Sequence, residues 1–361
     1  MTMTTDWNAA AHLLCVRFEE PADILASTPA LRALRAQCPQ RRITLLSSPA
    51  GAALGPYLPD VDAVLAHEAP WTPGGARAPA PSHLDWIATL AARRFDGAVI
   101  FTRHDRSALP AALLCQLAGI PLRAAYCREN TAQLLTQPIA DPGPGALLRH
   151  DVQRQLDLVR RLGAEIADER LAFVPTVQDT LAVRARLHAA GIDPAGRWLV
   201  LYPGAGVQAR CHGQHDWRSL VAALHARIGC PLVLVGDAHD PARSDGIDGI
   251  DTAPEARILS LAGQLDVGGL GALLAQASLV IGHRGLGTQL AAAVGTPVVH
   301  LQTQGSPHGM PWQVPSRAVP LAPAQVLEAV CNLLKQTEAD RTAAGRGRQT
   351  KKASPKTGLS A

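Results

Sequence analysis

Short apolar runs alternate with longer helical stretches along the first half of the chain. Five runs have the length and composition of buried strands, at residues 12–18, 42–48, 63–67, 97–101 and 123–127. Between them lie the helical stretches TPALRALRAQCP, SHLDWIATLAARR and SALPAALLCQLAGI. Because strands that alternate with helices form parallel sheets covered on both faces, this pattern predicts an α/β domain.

A second series of the same kind follows. Its apolar runs lie at residues 198–206, 231–237, 258–263, 278–282 and 297–301. The stretch 150–190 is charged and helical in pattern, which places the expected boundary near residues 170–180. We therefore predict two Rossmann-like, doubly wound domains that face a central cleft, over residues 1–175 and 176–340. In such sheets ligands bind at the carboxyl ends of the strands.

Composition narrows the class of protein. The chain has 361 residues, of which 47% are hydrophobic and 18% charged, as expected for a globular protein with a sizeable core. No window reaches the roughly 20 apolar residues of a membrane span. The N-terminus lacks the basic start and cleavage site of a signal peptide, so we expect a cytoplasmic protein. The seven cysteines lie singly, without metal-ligand spacing, and are predicted to be free thiols.

The formal net charge of +4 comes from the C-terminal tail. Residues 341–361, RTAAGRGRQTKKASPKTGLSA, contain six lysines or arginines and no acid, and their low apolar content predicts disorder. The tail is interpreted either as a solvated extension or as a weak peripheral contact with the anionic inner face of the cytoplasmic membrane. No aromatic platform accompanies these charges, which disfavours nucleic-acid binding.

Two glycine-rich strand ends in the second half are candidates for an anion site. Their residues are Gly204, Ala205 and Gly206 in YPGAGVQAR, and Gly285, Gly287 and Thr288 in IGHRGLGTQ. Main-chain N–H groups at such junctions suit a diphosphate, although glycines at these positions also serve turn geometry alone. Neither stretch matches the dinucleotide-binding fingerprint or the P-loop, which disfavours a nicotinamide dehydrogenase or a P-loop NTPase.

Several longer segments of the sequence are similar to those of a known protein family. In the first half they are VRFEEPADILASTPALRALRAQCPQRRITLLSSP, LPDVDAVLAH and FDGAVIFTRHDRSALPAALLCQLAGIPLRAAY. In the second half they are WLVLYPGAG, HDWRSLVAALHA, PLVLVGD, ILSLAGQLDVGGLGALLAQASLVIG and LAAAVGTPVVHLQTQGSP. From about Leu13 to Leu334 the chain resembles glycosyltransferase family 9, the heptosyltransferases of lipopolysaccharide core assembly.

The resemblance implies a two-domain GT-B fold and a metal-independent transferase without a cofactor. It also implies an ADP-heptose-like nucleotide sugar in the C-terminal half. The acceptor, a lipid-linked or core oligosaccharide of lipopolysaccharide or another cell-envelope glycan, is expected in the N-terminal half. The sugar moved would be a heptose or a related sugar.

Two residues of the first half are candidates for contact with the acceptor. Asp23 matches the acidic residue that resembles the family's general base, although Ala22 replaces the glycine that precedes it. A carboxylate in the first turn of a helix also has a purely structural use, and both interpretations stay open. Arg17 ends the first strand and is predicted either to face the acceptor or the diphosphate or to be an ordinary surface arginine.

The donor side departs from the family pattern at three positions. His215 stands where a phosphate-binding lysine is expected, and no lysine occurs before Lys335. Arg210 or Arg218 is the candidate replacement cation, and a solvated Arg210 is the alternative. Arg284 and Gln289 replace the family's acid and histidine. Since a guanidinium only donates hydrogen bonds and a carboxylate only accepts them, these changes predict an altered donor site. The alternative is a degenerate family member that acts as a binding or scaffold protein.

Overall fold

The strands form two six-stranded sheets in a computed structural model that describes residues 6–72, 80–131, 133–141, 149–203, 214–236, 258–302 and 309–352. The strands of the first sheet are β1 (His12–Val16), β2 (Arg42–Ser47), β3 (Ala63–Ala66), β4 (Gly97–Ile100), β5 (Leu122–Cys127) and β6 (Gln137–Ala140). Those of the second are β7 (Leu199–Tyr202), β8 (Leu232–Leu234), β9 (Ile258–Ser260), β10 (Leu279–His283), β11 (Val298–Leu301) and β12 (Ser316–Val319).

Both sheets have the same doubly wound topology. Their strand orders are β3-β2-β1-β4-β5-β6 and β12-β11-β10-β7-β8-β9, and every neighbouring pair is parallel. The strand order reverses between β1 and β4 in the first sheet and between β7 and β10 in the second. Ligands of such sheets bind outside the carboxyl ends of the strands at these reversal points.

Helices cover the sheets. In the first half they are α1 (Pro21–Gln37), α2 (Pro49–Ala52), α3 (Ala80–Ala92), α4 (Leu109–Leu117) and α5 (Asp151–Arg160), with a 3₁₀ turn at Gly55–Tyr57. In the second half they are α6 (Val177–Ala189), α7 (Gln214–Ile228), α8 (Val267–Gln276), α9 (Leu286–Ala293) and α10 (Pro323–Lys352). The predicted α/β class and the ten predicted strands are confirmed; the domain boundary at residues 175/176 stays a prediction.

Two strands were not expected from the sequence. The strands β6 and β12 lie at sheet edges and expose part of their side chains, so they lack the continuous apolar run of a buried parallel strand. Pro138 within β6 weakens the signal further, because proline is typical of edge strands only.

A proline inside α1 is accommodated by its neighbour. Pro29 cannot donate the helical hydrogen bond to the carbonyl oxygen of Leu25, and the Thr28 hydroxyl donates to that oxygen instead, at 2.7 Å. The same hydroxyl accepts the Ala172 main-chain N–H at 2.9 Å. The Thr-Pro pair thus keeps α1 continuous and ties it to the segment before α6.

The two halves pack against each other through α1. Ile24 and Leu25 of this helix belong to one buried cluster with Phe173, Trp198 and Leu290 of the following segments. The helix also contacts α5 on one side and α9 on the other.

The last helix runs further than the composition indicates. It continues to Lys352, through residues 341–352 of the tail predicted to be disordered. Alanine and arginine have high helix propensity, which accounts for helix in a stretch that lacks an apolar face. Residues 353–361 lie outside the described part of the chain. Within that part, no helix combines the length and apolar character needed to cross a membrane.

Candidate functional site

A cavity of about 700 Å³ opens at the reversal point of the first sheet. It lies beyond the carboxyl ends of β1, β2 and β4. The residues that line it include Phe18, Glu19, Glu20, Pro21, Ser48, Glu68, Trp71, Thr102, Arg103, Asp105, Arg106 and Ser107. This volume is in the range of small-molecule sites.

The cavity combines aromatic faces with hydrogen-bonding groups. The rings of Phe18 and Trp71 meet edge to face, with centroids 5.6 Å apart, and Trp71 remains 37% exposed. Thr102 lines the same cavity, and its buried Oγ1 has no hydrogen-bond partner among the described residues. Such a cavity can bind a molecule that has both an apolar face and hydroxyl groups, as sugars do.

Asp23 lies in the first turn of α1, two residues after the cavity-lining Pro21. One carboxylate oxygen, Oδ2, accepts the Glu20 main-chain N–H at 3.2 Å, as in a capping box. The residue is 7% exposed, and burial raises its pKa to about 6 although Arg17 opposes this rise. Asp23 therefore caps the first turn of α1, and it also has the raised proton affinity that suits a general base.

Arg17 does not face open solvent. Its side chain is fully buried and its Nη2 lies 2.8 Å from Asp151 Oδ2 and 3.9 Å from Asp23 Oδ1. Its Nε lies 3.1 Å from Glu19 Oε2, without the geometry of a hydrogen bond. Burial alone would lower the pKa of this guanidinium, but the carboxylates of Asp151, Glu19 and Asp23 raise it above its ordinary value. The predicted direct contact with the acceptor does not agree with this burial.

Asp151 is a residue that sequence reasoning missed. It begins α5, 134 positions after Arg17, and reaches the guanidinium because α5 packs on α1. No local motif signals this contact. Glu19 had a signal, since it lies directly beyond the end of a predicted strand.

The second candidate region begins where β10 passes into α9. Arg284 and Gly285 are partly exposed at this junction, at the reversal point of the second sheet. Within the described part of the chain, Arg284 has no carboxylate within 4.0 Å. The first-turn N–H groups of a helix lack intrahelical acceptors and attract anions. The junction therefore presents a cation and main-chain donors together.

Gly287 and Thr288 have packing roles at this junction. A Cβ at Gly287 would lie 2.6 Å from the Tyr202 ring, so only glycine allows β7 and α9 to approach this closely. The buried Thr288 hydroxyl donates to the Gly285 carbonyl oxygen at 3.1 Å and accepts the Gly285 N–H at 3.3 Å. The Thr288 hydroxyl is thus engaged within the protein, and the predicted contact of the main chain here with a diphosphate stays a prediction.

Gln289 is also turned inward. Its Nε2 donates to the Gly309 carbonyl oxygen at 3.1 Å, and the residue is 5% exposed. Nearby, burial lowers the pKa of His300 to about 4, helped by His283 and Arg284, so this imidazole is neutral at physiological pH. Arg284 is thus the positive charge of the described junction.

The remaining donor-side predictions fall outside the described residues. These are Gly204, Ala205, Gly206 and Arg210. His215 lies on α7, but its side chain is not described. Their roles stay predictions.

His150 makes a contact between the two halves. His150 Nε2 is 2.8 Å from the Met310 carbonyl oxygen, and the His150 ring lies against the Trp312 ring with centroids 4.6 Å apart. The Trp312 indole N–H donates to the Glu169 carbonyl oxygen at 2.8 Å. Trp312 therefore packs between the halves.

A family model and a curated relative both match this chain, and they agree on one protein family. Residues 87–341 match the model of glycosyltransferase family 9 (heptosyltransferase). Over 153 residues the chain is 29% identical to lipopolysaccharide heptosyltransferase 3 of Escherichia coli. This alignment covers 42% of the chain and 43% of that protein, less than half of the length of the curated relative.

Solved structures match over nearly the whole chain. A family 9 glycosyltransferase from Veillonella parvula superposes with a TM-score of 0.78 at 14% identity, over 92% of this chain and 99% of that one. The ADP-heptose lipopolysaccharide heptosyltransferase II of E. coli gives 0.71 at 19% identity, over 91% and 99%. The E. coli heptosyltransferase WaaC, solved with ADP-2-deoxy-2-fluoro heptose, gives 0.62 at 18% identity, over 91% and 99%. These similarities confirm the predicted GT-B fold.

Proposed function

The chain belongs to glycosyltransferase family 9, and we propose that it transfers a heptose or a related sugar from an ADP-heptose-like donor to a lipopolysaccharide core or other cell-envelope glycan. The observation that carries this proposal is the presence of a site at the reversal point of each sheet. One is a cavity suited to a sugar, and the other is a junction suited to a diphosphate. The structure of WaaC with an ADP-heptose analogue supports the choice of donor.

In the proposed reaction the acceptor occupies the cavity of the first half. Its hydroxyl oxygen attacks the anomeric carbon of the donor sugar, and a new C–O bond forms as the bond to the diphosphate breaks. Asp23 takes the proton of the hydroxyl, for which a pKa of about 6 is well suited near neutral pH. The nucleoside diphosphate leaves with the electron pair of the broken bond.

Arg284 and the first-turn N–H groups of α9 stabilise the leaving diphosphate. A fixed cation and oriented dipoles favour the charge that develops on this group. The reaction uses no cofactor and no metal ion in this proposal. Arg210 and the loop of Gly204, Ala205 and Gly206 are proposed to complete the diphosphate site, with His215 nearby.

A second candidate function is binding without turnover. Gln289 replaces the family's histidine and is committed to the Gly309 carbonyl oxygen, so it does not reach a sugar from its described position. This observation favours a changed donor preference or a loss of transfer. The protein would then act as a scaffold in glycan assembly.

Both functions require a nucleotide site. Calorimetric titration with ADP, UDP, GDP and their sugar conjugates tests whether the protein has one. We expect saturable binding of one nucleotide, followed by sugar transfer in an assay with envelope glycan acceptors. Asp23→Asn is expected to abolish transfer and keep donor affinity. Binding without transfer in the wild type favours the scaffold function, and no binding to any nucleotide contradicts both.

A further inference from the structure

Three carboxylates, from the loop after β1, from α1 and from α5, surround one buried guanidinium. Arg17 is fully buried, and Asp151, Glu19 and Asp23 all lie within 4.0 Å of its nitrogens. Since a buried cation interacts strongly with each of them, its position decides which carboxylate it stabilises most.

The three carboxylates do not share the guanidinium equally. Asp151 accepts a hydrogen bond from Nη2 at 2.8 Å, and Glu19 lies 3.1 Å from Nε. Asp23 Oδ1 is 3.9 Å from Nη2, beyond hydrogen-bond distance. Asp23 is therefore the least engaged of the three.

This difference matters for proton transfer. A carboxylate in a direct, hydrogen-bonded ion pair with arginine is strongly stabilised in its charged form and becomes a weak base. A carboxylate held outside such a pair keeps its affinity for a proton. Burial then raises that affinity further, because it disfavours the charged form.

We propose that Asp151 and Glu19 are positioning residues: they hold the Arg17 guanidinium away from Asp23, so that Asp23 can take a proton from the acceptor hydroxyl. This inference rests on the proposed role of Asp23 as the general base.

Asp151 is itself fixed from several directions. Its Oδ1 accepts from Gln155 Nε2 at 2.9 Å, and the same nitrogen donates to the Thr102 carbonyl oxygen at 3.1 Å. The preceding residue, His150, contacts Met310 of the second half. The position of Asp151 therefore depends on the packing of the halves as well as on α5.

Glu19 is held by the loop after β4. Its Oε1 accepts the Arg103 main-chain N–H at 3.1 Å. The Arg103 side chain is the other cation that acts on Asp23, and it pairs with Asp105 at 3.3 Å. The charged groups that act on Asp23 are thus Arg17, Asp151, Arg103 and Glu19, from the loop after β1, α5 and the loop after β4.

The test measures the titration of Asp23 directly. Protein labelled with ¹³C at the aspartate carboxyl carbons gives the Asp23 signal, which is assigned by its loss in Asp23→Asn. In Asp151→Asn one negative charge is removed and the guanidinium is released toward Asp23. Both effects lower the pKa of Asp23, so its titration is expected to move down by about 1 pH unit or more.

Two further variants sharpen the test. Glu19→Gln keeps an acceptor for the Arg103 N–H and is expected to move the titration in the same direction by a smaller amount. Asp157→Asn is the matched control, because Asp157 is on α5 but pairs with Arg149 and Arg160 at the surface. In this control the pKa of Asp23 is expected to equal that of the wild type.

The transfer assay supplies the second readout. In Asp151→Asn the acidic limb of the kcat/KM profile is expected to follow Asp23 to lower pH, and kcat at the plateau to fall. A folded Asp151→Asn or Glu19→Gln protein whose Asp23 titrates as in the wild type overturns the proposal, even if kcat falls. Because the titration needs no substrate, absence of transfer in the wild type would remove the proposed function without affecting the measured electrostatic arrangement.

Discussion

Gly309 lies directly against the guanidinium of Arg284: a Cβ at position 309 would be 2.7 Å from Arg284 Cζ. The Gly309 carbonyl oxygen also accepts the hydrogen bond from Gln289. The two residues that depart most from the family pattern are therefore fixed by the same glycine. This arrangement places the Arg284 charge at the start of α9.

We expect Gly309→Ala to displace the Arg284 side chain. The colliding atoms belong to the flexible end of an arginine, so the fold should be kept while the cation moves. Calorimetry should show weaker binding of the nucleoside diphosphate. In an Arg284→Ala background the second change should have no further effect, and an equal loss in both backgrounds would contradict this coupling.

Arg284→Ala itself is expected to weaken binding of the nucleoside diphosphate by about 1.5–3 kcal/mol, the range of a hydrogen bond to a charged group. Arg317→Ala is the matched control, since Arg317 is an exposed arginine on β12 of the same half. Its affinity should equal that of the wild type. Equal affinity in all three proteins would exclude Arg284 from the diphosphate site.

Features that depend on interactions between residues close in sequence could be predicted, and those that depend on residues distant in sequence could not. Ten strands were predicted because buried parallel strands are continuous apolar runs, whereas the exposed edge strands β6 and β12 carry a weaker pattern. Asp23 could be found from a local motif. The ion pair of Arg17 with Asp151 could not, because Asp151 reaches Arg17 across 134 positions through helix packing.

The donor junction shows the same limit. The sequence identified Arg284 and Gln289 as departures, but their orientations depend on Gly309, which is distant in sequence. Likewise, the sequence does not show that Gly287 packs on the Tyr202 ring or that the Thr288 hydroxyl bonds to Gly285; their main-chain contact with a diphosphate stays a prediction. A residue type indicates what a side chain can bind, and only the packing around it decides whether it faces the cleft.

Trp71 provides a test of the acceptor cavity. We expect Trp71→Ala to raise the KM for the acceptor roughly tenfold, about 1.4 kcal/mol, because an exposed indole offers an apolar face to a sugar ring. The KM for the donor should stay unchanged. Leu117→Ala is the control, as Leu117 is an exposed apolar residue on α4 that does not line the cavity. A similar KM change in both variants would point to a general effect on the first half.

The raised pKa of Asp23 also has a consequence for stability. Folding raises this pKa from 3.8 to about 6, so the folded protein binds more protons than the unfolded chain between these values. The favourable contribution of the protonated form is complete below pH 3.8 and is lost as pH rises through 6. At pH 8 the buried charge therefore opposes folding, by about 3 kcal/mol for a shift of this size.

Asp23→Asn removes this charge and keeps an oxygen that can accept the Glu20 N–H. We expect the variant to unfold at a higher temperature than the wild type at pH 8, and the difference to shrink as pH falls toward 4. Asp157→Asn, at the surface of α5, should show no comparable gain. Thermal unfolding monitored by circular dichroism across this pH range measures the effect. A variant less stable than the wild type at pH 8 would mean that the ion pair with Arg17 outweighs the cost of burial, contrary to the geometry in which Asp23 is the least engaged carboxylate.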